Sequence, residues 1–184
     1  MIVSHYCLQT QIALLGTCAY LRSLFCVKLR WSWKAHLSTY TCYPDHMVEA
    51  MQYTGSMVSG SAALQWLLCD ITTWKTIDLN FYCPYGTFSV FLAMLTHIPD
   101  ITCCATFCLH EPTPPYVRNN GFCQYTVLMT KRGKIDVLHS ISTSPTYPLP
   151  YFHLTPMMNF VSADCFSVTY PLLTLNYQGI VPYY

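Results

Sequence analysis

Residues 54–68 run Thr54-Gly-Ser-Met-Val-Ser-Gly-Ser-Ala-Ala-Leu-Gln-Trp-Leu-Leu, and this segment sets the architecture expected for the chain. Met57-Val58 favours a strand, and the run that begins at Ala62 is rich in strong helix formers. The pattern therefore predicts a strand, a tight turn at Gly60-Ser61 and a helix. Glycine lets the backbone approach a ligand closely, and the first helical N–H groups attract anions such as phosphate. An ordinary helix cap at Ser61 is the alternative interpretation.

A second strand is predicted at residues 77–83, which run Ile77-Asp78-Leu79-Asn80-Phe81-Tyr82-Cys83. Polar and apolar residues alternate there with a period of two. Asp78 and Asn80 therefore project from one face of the strand, and Leu79 and Phe81 project from the other. Carboxylate and amide oxygens that point the same way can ligate Mg²⁺ between the protein and a nucleoside triphosphate.

A β-hairpin is predicted further along the chain, where apolar runs at residues 122–130 and 134–141 flank Lys131-Arg132-Gly133. Asp136 falls in its second strand between two apolar neighbours, so its side chain points away from theirs. The pattern leaves two surroundings open for Asp136, which are solvent or a polar cleft shared with other strands. Hairpin strands in general favour solvent.

The composition changes near residue 38. Residues 1–38 contain no acidic residue and predict an N-terminal helical arm, whose basic residues are Arg22, Lys28, Arg30 and Lys34. This arm is a candidate contact surface for anionic lipid or RNA, but we favour the alternative in which its Leu and Trp residues pack on the domain. Residues 39–184 form that domain, which is expected to begin with a helix capped by Asp45 and ending near Gly55.

The overall composition limits the class of protein. The 184 residues suit one domain, and 53% hydrophobic with 9% charged residues excludes intrinsic disorder and a charged coiled coil. A net charge of +1 gives no general attraction to nucleic acid, so any phosphate binding must be local. Mean hydropathy is +0.30, but polar residues or prolines interrupt the long uncharged stretches. We therefore expect an intracellular protein, cytoplasmic or nuclear, without a membrane span, and its apolar surface would suit a protein partner.

The eleven cysteines favour a reduced compartment, since none of them forms a Cys-x-x-Cys pair. The densest group is Cys103, Cys104 and Cys108, with His97 and His110 on either side. Zinc sites usually show two closely spaced pairs, and here only the spacing from Cys104 to Cys108 fits. We therefore expect these three cysteines to be apolar residues of a buried segment.

The order of the motifs resembles that of the nucleotidyltransferase superfamily, the group with the DNA-polymerase-β-type catalytic core. Gly60-Ser61 comes first, Asp78-Leu79-Asn80 follows, and Asp136 lies in a later strand. More narrowly, residues 45–176 resemble a group of uncharacterised basidiomycete fungal proteins. The segments that carry this likeness are Ser59-Gly60-Ser61-Ala62-Ala63-Leu64, Asp78-Leu79-Asn80-Phe81-Tyr82, Lys134-Ile135-Asp136-Val137 and Phe152-His153-Leu154-Thr155-Pro156-Met157-Met158-Asn159-Phe160.

The resemblance implies an α+β fold, with a small mixed or antiparallel sheet and helices packed on one face. It implies that Gly60 and Ser61 bind the phosphates of a nucleotide. It also implies that Asp78, Asn80 and Asp136 hold Mg²⁺ or Mn²⁺, and that the two Asp residues are catalytic. Asn80 stands where the superfamily has a second Asp. Because an amide brings no negative charge, metal binding is expected to be weak or absent if the site is degenerate.

Two hypotheses follow from this departure. One is an active, metal-dependent enzyme that transfers a nucleotidyl group from an NTP to a hydroxyl or phosphate acceptor, with Asp136 also acting as general base. The other, which we favour, is a degenerate relative that keeps a nucleotide pocket but lacks turnover, because losing one charge removes a large electrostatic contribution. The resembling proteins continue past the position of Tyr184, so the domain is expected to be truncated at its C-terminus.

Overall fold

The computed structural model describes residues 16–68, 74–108 and 121–181, together with Thr10 and Ala13. The α-helices in these residues are α1 (Ala19–Leu37), α2 (Pro44–Thr54), α3 (Ser61–Leu68), α4 (Phe88–Thr96) and α5 (Pro171–Thr174). The strands are β1 (Met57–Ser59), β2 (Asp78–Cys83), β3 (Thr102–Cys108), β4 (Phe122–Met129), β5 (Lys134–Ser140), β6 (Phe160–Val161) and β7 (Phe166–Ser167). Two short 3₁₀ turns, Leu149–Tyr151 and Thr155–Met158, lie between β5 and β6.

The strands of the described residues form one seven-stranded mixed sheet in the order β3-β4-β5-β2-β1-β6-β7. β2 and β5 run parallel, and the other neighbouring strands run antiparallel. The α+β class and the mixed sheet are confirmed. The sheet is larger than the small one expected, because β3 extends one edge and the short β6–β7 pair extends the other.

The main core lies between one face of the sheet and helices α1 to α4. The strands contribute apolar residues that alternate with the polar ones, namely Val58, Leu79, Phe81, Leu128, Ile135 and Val137. The helices contribute Trp33, Leu37, Met47, Met51, Trp66, Phe91 and Leu95 among others. A smaller apolar cluster of Met57, Tyr82, Leu149 and Met158 covers part of the opposite face. The four helices therefore share one face of the sheet, as predicted.

The predicted strand, turn and helix are confirmed at residues 57–68, where α3 begins at Ser61 directly after Gly60. The predicted hairpin is confirmed as β4 and β5. The cap of α2 differs from the expectation, since Tyr43 is the N-cap and Asp45 lies in the first turn. The reason is Pro44, which lacks an N–H and suits the first helical position. The helix ends at Gly55 as expected.

Helix α1 packs on the domain through its C-terminal half. Trp33 and Leu37 are buried in the main core. Two of its basic side chains form ion pairs at the surface, Arg30 with Asp164 at 3.5 Å and Lys34 with Asp45. This packing agrees with the interpretation favoured from the sequence for residues 19–37. Within the described residues, no helix combines the length and the apolar composition needed to span a membrane.

The cysteines of β3 are exposed, so the expectation that they lie in a buried segment is wrong. Cys103, Cys104 and Cys108 belong to an edge strand whose neighbour in the described residues is β4 alone. An edge strand lacks neighbours on its outer side, and this accounts for the exposure. The flanking His97 is also exposed, and His110 lies outside the described residues.

Candidate functional site

The polar residues of β2 and β5 meet on the face of the sheet opposite helices α1 to α4. In this parallel pair, Asp78 lies opposite Lys134 and Asn80 lies opposite Asp136. Residues two apart on a strand share a face, and register partners on neighbouring strands point to the same side. The four side chains therefore form one cluster, which we call the polar square.

Two contacts hold the polar square together. The Nζ of Lys134 lies 2.7 Å from Oδ2 of Asp136. The Nδ2 of Asn80 donates a long hydrogen bond to Oδ2 of Asp78 at 3.5 Å. Strand spacing places Asp78 and Asp136 on the diagonal, with Cα atoms about 8 Å apart. The two carboxylates thus share one patch of the sheet instead of pointing to opposite faces.

The Asp136 carboxylate is largely shielded from solvent. Its side chain is 15% exposed, and its Oδ1 is buried with no hydrogen-bond partner among the described residues. The sequence favoured solvent for this residue, and that expectation is wrong, because the side chains of Asn80 on β2 and Lys134 on β5 lie beside the carboxylate. A buried carboxylate oxygen that lacks a donor is a position where a bound ligand's donor or a cation gains an interaction.

The Gly60-Ser61 turn adjoins the polar square. Ser59 is the register partner of Asn80, and a Cβ placed on Gly60 would lie 3.5 Å from Nδ2 of Asn80. Gly60 has a φ of +80°, a conformation that favours glycine. Ser61 is the first residue of α3, where backbone N–H groups lack acceptors within the helix. The turn, Asp78, Asn80 and Asp136 are therefore neighbours in space.

The second 3₁₀ turn and the residue that follows it hold the Gly60-Ser61 turn in place. The N–H of Gly60 donates to the carbonyl of Met157 at 3.3 Å. The hydroxyl of Ser59 donates to the carbonyl of Asn159 at 2.7 Å and to that of Met157 at 3.1 Å. The backbone N–H of Gly60 is thus already engaged, and the donors left for a ligand come from Ser61 onward.

Both carboxylates of the polar square raise the pKa of the same two neighbouring side chains, Lys134 and Tyr82. The hydrogen bond from Lys134 to Asp136 raises the pKa of the Lys134 ammonium, and the charges of Asp136 and Asp78 raise it further. Burial raises the pKa of the Tyr82 phenol, and the charges of Asp136 and Asp78 act in the same direction. The negative charges of both carboxylates therefore reach Lys134 and Tyr82. They favour the charged form of the Lys134 ammonium and the neutral form of the Tyr82 phenol.

No protein family, curated protein or solved structure matches this chain. The interpretation of the polar square therefore rests on the geometry and the chemistry of its own residues. Gly60, Ser61, Asp78, Asn80 and Asp136 lie together, while their roles in binding or catalysis stay predictions.

Lys134 is the residue of the site that sequence reasoning missed. It lies two residues before Asp136 on the same strand, so the period of two already places both side chains on one face. That spacing was the feature of the sequence from which Lys134 could have been predicted as a site residue. The parallel pairing with β2, which brings Lys134 opposite Asp78, is a long-range feature that no local pattern reveals.

The donor set of the polar square does not fit two divalent ions. Among the described residues, no group of three or more His, Cys, Asp or Glu side chains is placed to hold a metal. Asn80 directs its amide nitrogen toward Asp78, and Lys134 neutralises Asp136. Mg²⁺ needs oxygen ligands in near-octahedral geometry, and a pair of such ions needs more negative charge than two carboxylates and one ammonium supply.

A cavity of about 630 Å³ lies elsewhere, on the helical side of the sheet between α1, α2, α3 and the β6–β7 loop. Trp31, Trp66, Arg30 and Lys34 are among its lining residues. The two cations already pair with carboxylates at the surface. The polar square has the stronger case for chemistry, since it combines a shielded carboxylate, a cation and a glycine turn.

Proposed function

We propose that the domain is a nucleotidyltransferase-like protein that binds a nucleotide through its phosphates and lacks efficient turnover. One observation carries the proposal. The Gly60-Ser61 turn lies beside Asn80, on the face of the sheet that also bears Asp78 and Asp136. A glycine turn at a helix N-terminus next to acidic residues suits phosphates on one side and a sugar or an acceptor on the other.

The charge balance of the polar square disfavours turnover, while individual donors beside it supply local contacts for a phosphate. Asp78 and Asp136 bring two negative charges, Lys134 brings one positive charge, and Asn80 brings none. The Lys134 ammonium and the first N–H groups of α3 are donors that a phosphate accepts from. In-line nucleotidyl transfer needs strong stabilisation of charge on the attacking and leaving oxygens, and the polar square is poorly equipped to supply it.

Nucleotide binding is tested by titrating the full chain with a fluorescent ATP analogue. We expect saturable binding, and we expect Gly60→Val to weaken it about ten-fold or more, since a β-branched residue is strained at positive φ and its side chain would press on Asn80. Gly86→Val is the matched control, because a Cβ at Gly86 meets no atom within 4 Å in the part of the chain that the structure describes. Binding that is absent from the wild-type chain, or equal in both variants, contradicts the proposal.

A milder variant guards against misfolding of Gly60→Val. Ser61→Ala removes only a hydroxyl at the start of α3, and we expect it to weaken binding of the analogue by about ten-fold or more, as for the loss of one hydrogen bond to a charged group. Ser89→Ala, on the exposed side of α4, is its control. Circular dichroism of each variant verifies the fold.

Turnover is tested by the release of pyrophosphate from NTPs in the presence of Mg²⁺. We expect no release above background from the wild-type chain and a measurable gain in Asn80→Asp, because that variant restores a negative charge beside Asp136. Release by the wild-type chain at enzymatic rates would instead support the active enzyme. A folded Asn80→Asp variant with no gain argues against a metal-dependent ancestry of the site.

A further inference from the structure

We propose that Lys134 is a tethered cation that takes the place of a divalent ion in the polar square, so that the site binds an anionic ligand without metal. The nature of the anion, a nucleotide phosphate, rests on the proposed function. The preference of the site for its own ammonium over a metal ion does not rest on the proposed function. This preference can be measured on the protein without any nucleotide.

The position of Lys134 carries the inference. Its Nζ contacts Oδ2 of Asp136 at 2.7 Å, and its Cα is the register partner of Asp78 across the parallel pair. Asp136 lies opposite Asn80 in the same way. The ammonium therefore contacts an oxygen of β5 and lies within the electrostatic influence of Asp78 on β2, where it would compete with an ion bridging the two strands.

The charges facing this position favour a single positive charge. The two carboxylates contribute −2, and Lys134 brings the polar square to −1. Tyr82 on β2 and Tyr125 on β4 share this face and bring no cationic side chain to it. A divalent ion would have to displace the ammonium from Asp136 or sit beside it, and each arrangement leaves two cations competing for the same oxygens.

The ion pair differs from an ordinary surface salt bridge. The Lys134 side chain is 40% exposed, but its partner Asp136 is 15% exposed and has a second oxygen that meets no donor among the described residues. A shielded carboxylate that loses its only cation is left with an uncompensated charge, and it gains strongly from any other cation that can reach it. Removing the lysine charge should therefore open the site to metal.

The experiment measures Mn²⁺ binding by electron paramagnetic resonance on the full chain, with no nucleotide present. We expect the wild-type chain to bind Mn²⁺ more weakly than about 1 mM, and we expect Lys134→Met to bind it about ten-fold more tightly or better. Lys131→Met, at the exposed hairpin turn, is the matched control and should behave as the wild-type chain. Lys134→Arg keeps the charge and should not gain affinity, which separates the loss of the cation from general damage to the site.

Two results overturn the inference. One is tight, saturable Mn²⁺ binding by the wild-type chain that Lys134→Met leaves unchanged. The other is an absence of gain in Lys134→Met when circular dichroism and thermal melting show that the variant is folded. If Lys134→Met does not fold, Lys134→Gln, which keeps a polar side chain of similar reach, is measured with the same expected gain.

A second measurement separates this inference from the proposed function. Binding of the fluorescent ATP analogue is compared in EDTA and in Mg²⁺, and we expect affinities within about two-fold of each other. Binding that requires Mg²⁺ overturns the tethered cation and leaves the proposed function standing. No binding under either condition overturns the proposed function, while the Mn²⁺ result on Lys134→Met still decides the role of the lysine.

Discussion

Burial lowers the pKa of His36 from 6.5 to about 4, and its Nε2 is buried without a hydrogen-bond partner among the described residues. Between these two values the unfolded chain binds one proton more than the folded chain, so stability falls as the pH falls through this window. The expected loss from pH 7 to pH 4 is about 3 kcal/mol in the free energy of unfolding. Urea unfolding at a series of pH values measures it.

His36→Gln provides the comparison, because it removes the titrating group and should flatten that part of the pH profile. Ser89→Ala, at an exposed position of α4 and without a titrating group, should leave the slope between pH 6.5 and 4 as it is in the wild-type chain. Equal slopes in His36→Gln and the wild-type chain would contradict a buried neutral imidazole.

The thiols differ in reactivity according to burial. Burial raises the pKa of Cys83 to about 12, whereas Cys103, Cys104 and Cys108 lie exposed on β3. Only the thiolate reacts with alkylating reagents. We expect iodoacetamide to modify the β3 thiols of the native protein within minutes and to modify Cys83 only after denaturation. Mass spectrometry of the resulting peptides reads this directly, and native labelling of Cys83 at the rate of Cys104 would contradict it.

At the level of elements, Asp100 joins the α1–α2 loop to the connection between α4 and β3. Its carboxylate accepts hydrogen bonds from the hydroxyl of Thr41 at 3.1 Å and from the N–H of Cys42 at 2.8 Å. Asp100→Ala leaves the buried hydroxyl of Thr41 and the part-buried N–H of Cys42 unpaired, and we expect it to destabilise the fold by about 2–3 kcal/mol in urea unfolding. Asp45→Ala, which breaks an exposed pair with Lys34, should cost less than about 1 kcal/mol. Equal losses in the free energy of unfolding for the two variants would show that Asp100 does not hold the two connections together.

The elements also show what local patterns can predict. The strand, turn and helix at residues 57–68 and the β4–β5 hairpin were predictable, because period, turn residues and helix formers all act within a few positions. The parallel pairing of β2 with β5 was not, since its partners lie 56 positions apart, as from Asp78 to Lys134. The exposure of β3 has the same origin, because a run of small apolar residues does not reveal whether its strand ends up at an edge.

In the candidate site, too, local features were predictable from the sequence and long-range ones were not. The shared face of Asp78 and Asn80 follows from a period of two, and the resemblance placed Asp136 near them. The contact between Lys134 and Asp136 lies within one strand. The net charge of the site, however, also depends on Asp78 of the neighbouring strand. A charge balance across two strands is available only once their register is known.

For the molecule as a whole, we expect protection from hydrogen exchange to fall from the centre of the sheet to its edges. β2 and β5 are paired on both sides and carry Leu79, Phe81, Ile135 and Val137 into the main core. β3 is an edge strand with exposed side chains. Amides of β2 and β5 should therefore exchange through global unfolding, and those of β3 through local opening. Exchange mass spectrometry measures this, and equal protection of β3 and β2 would be inconsistent with it.

The central place of β5 also determines when the sheet can form during synthesis. β5 joins the β3–β4 pair to the group made of β2, β1, β6 and β7. Until residues 134–140 have left the ribosome, β2 lacks one of its two neighbours and its apolar face is only partly covered. About the first three quarters of the chain must therefore emerge before β5 can join the two parts of the sheet, and until then the apolar face of β2 is open to chaperones that bind extended apolar segments.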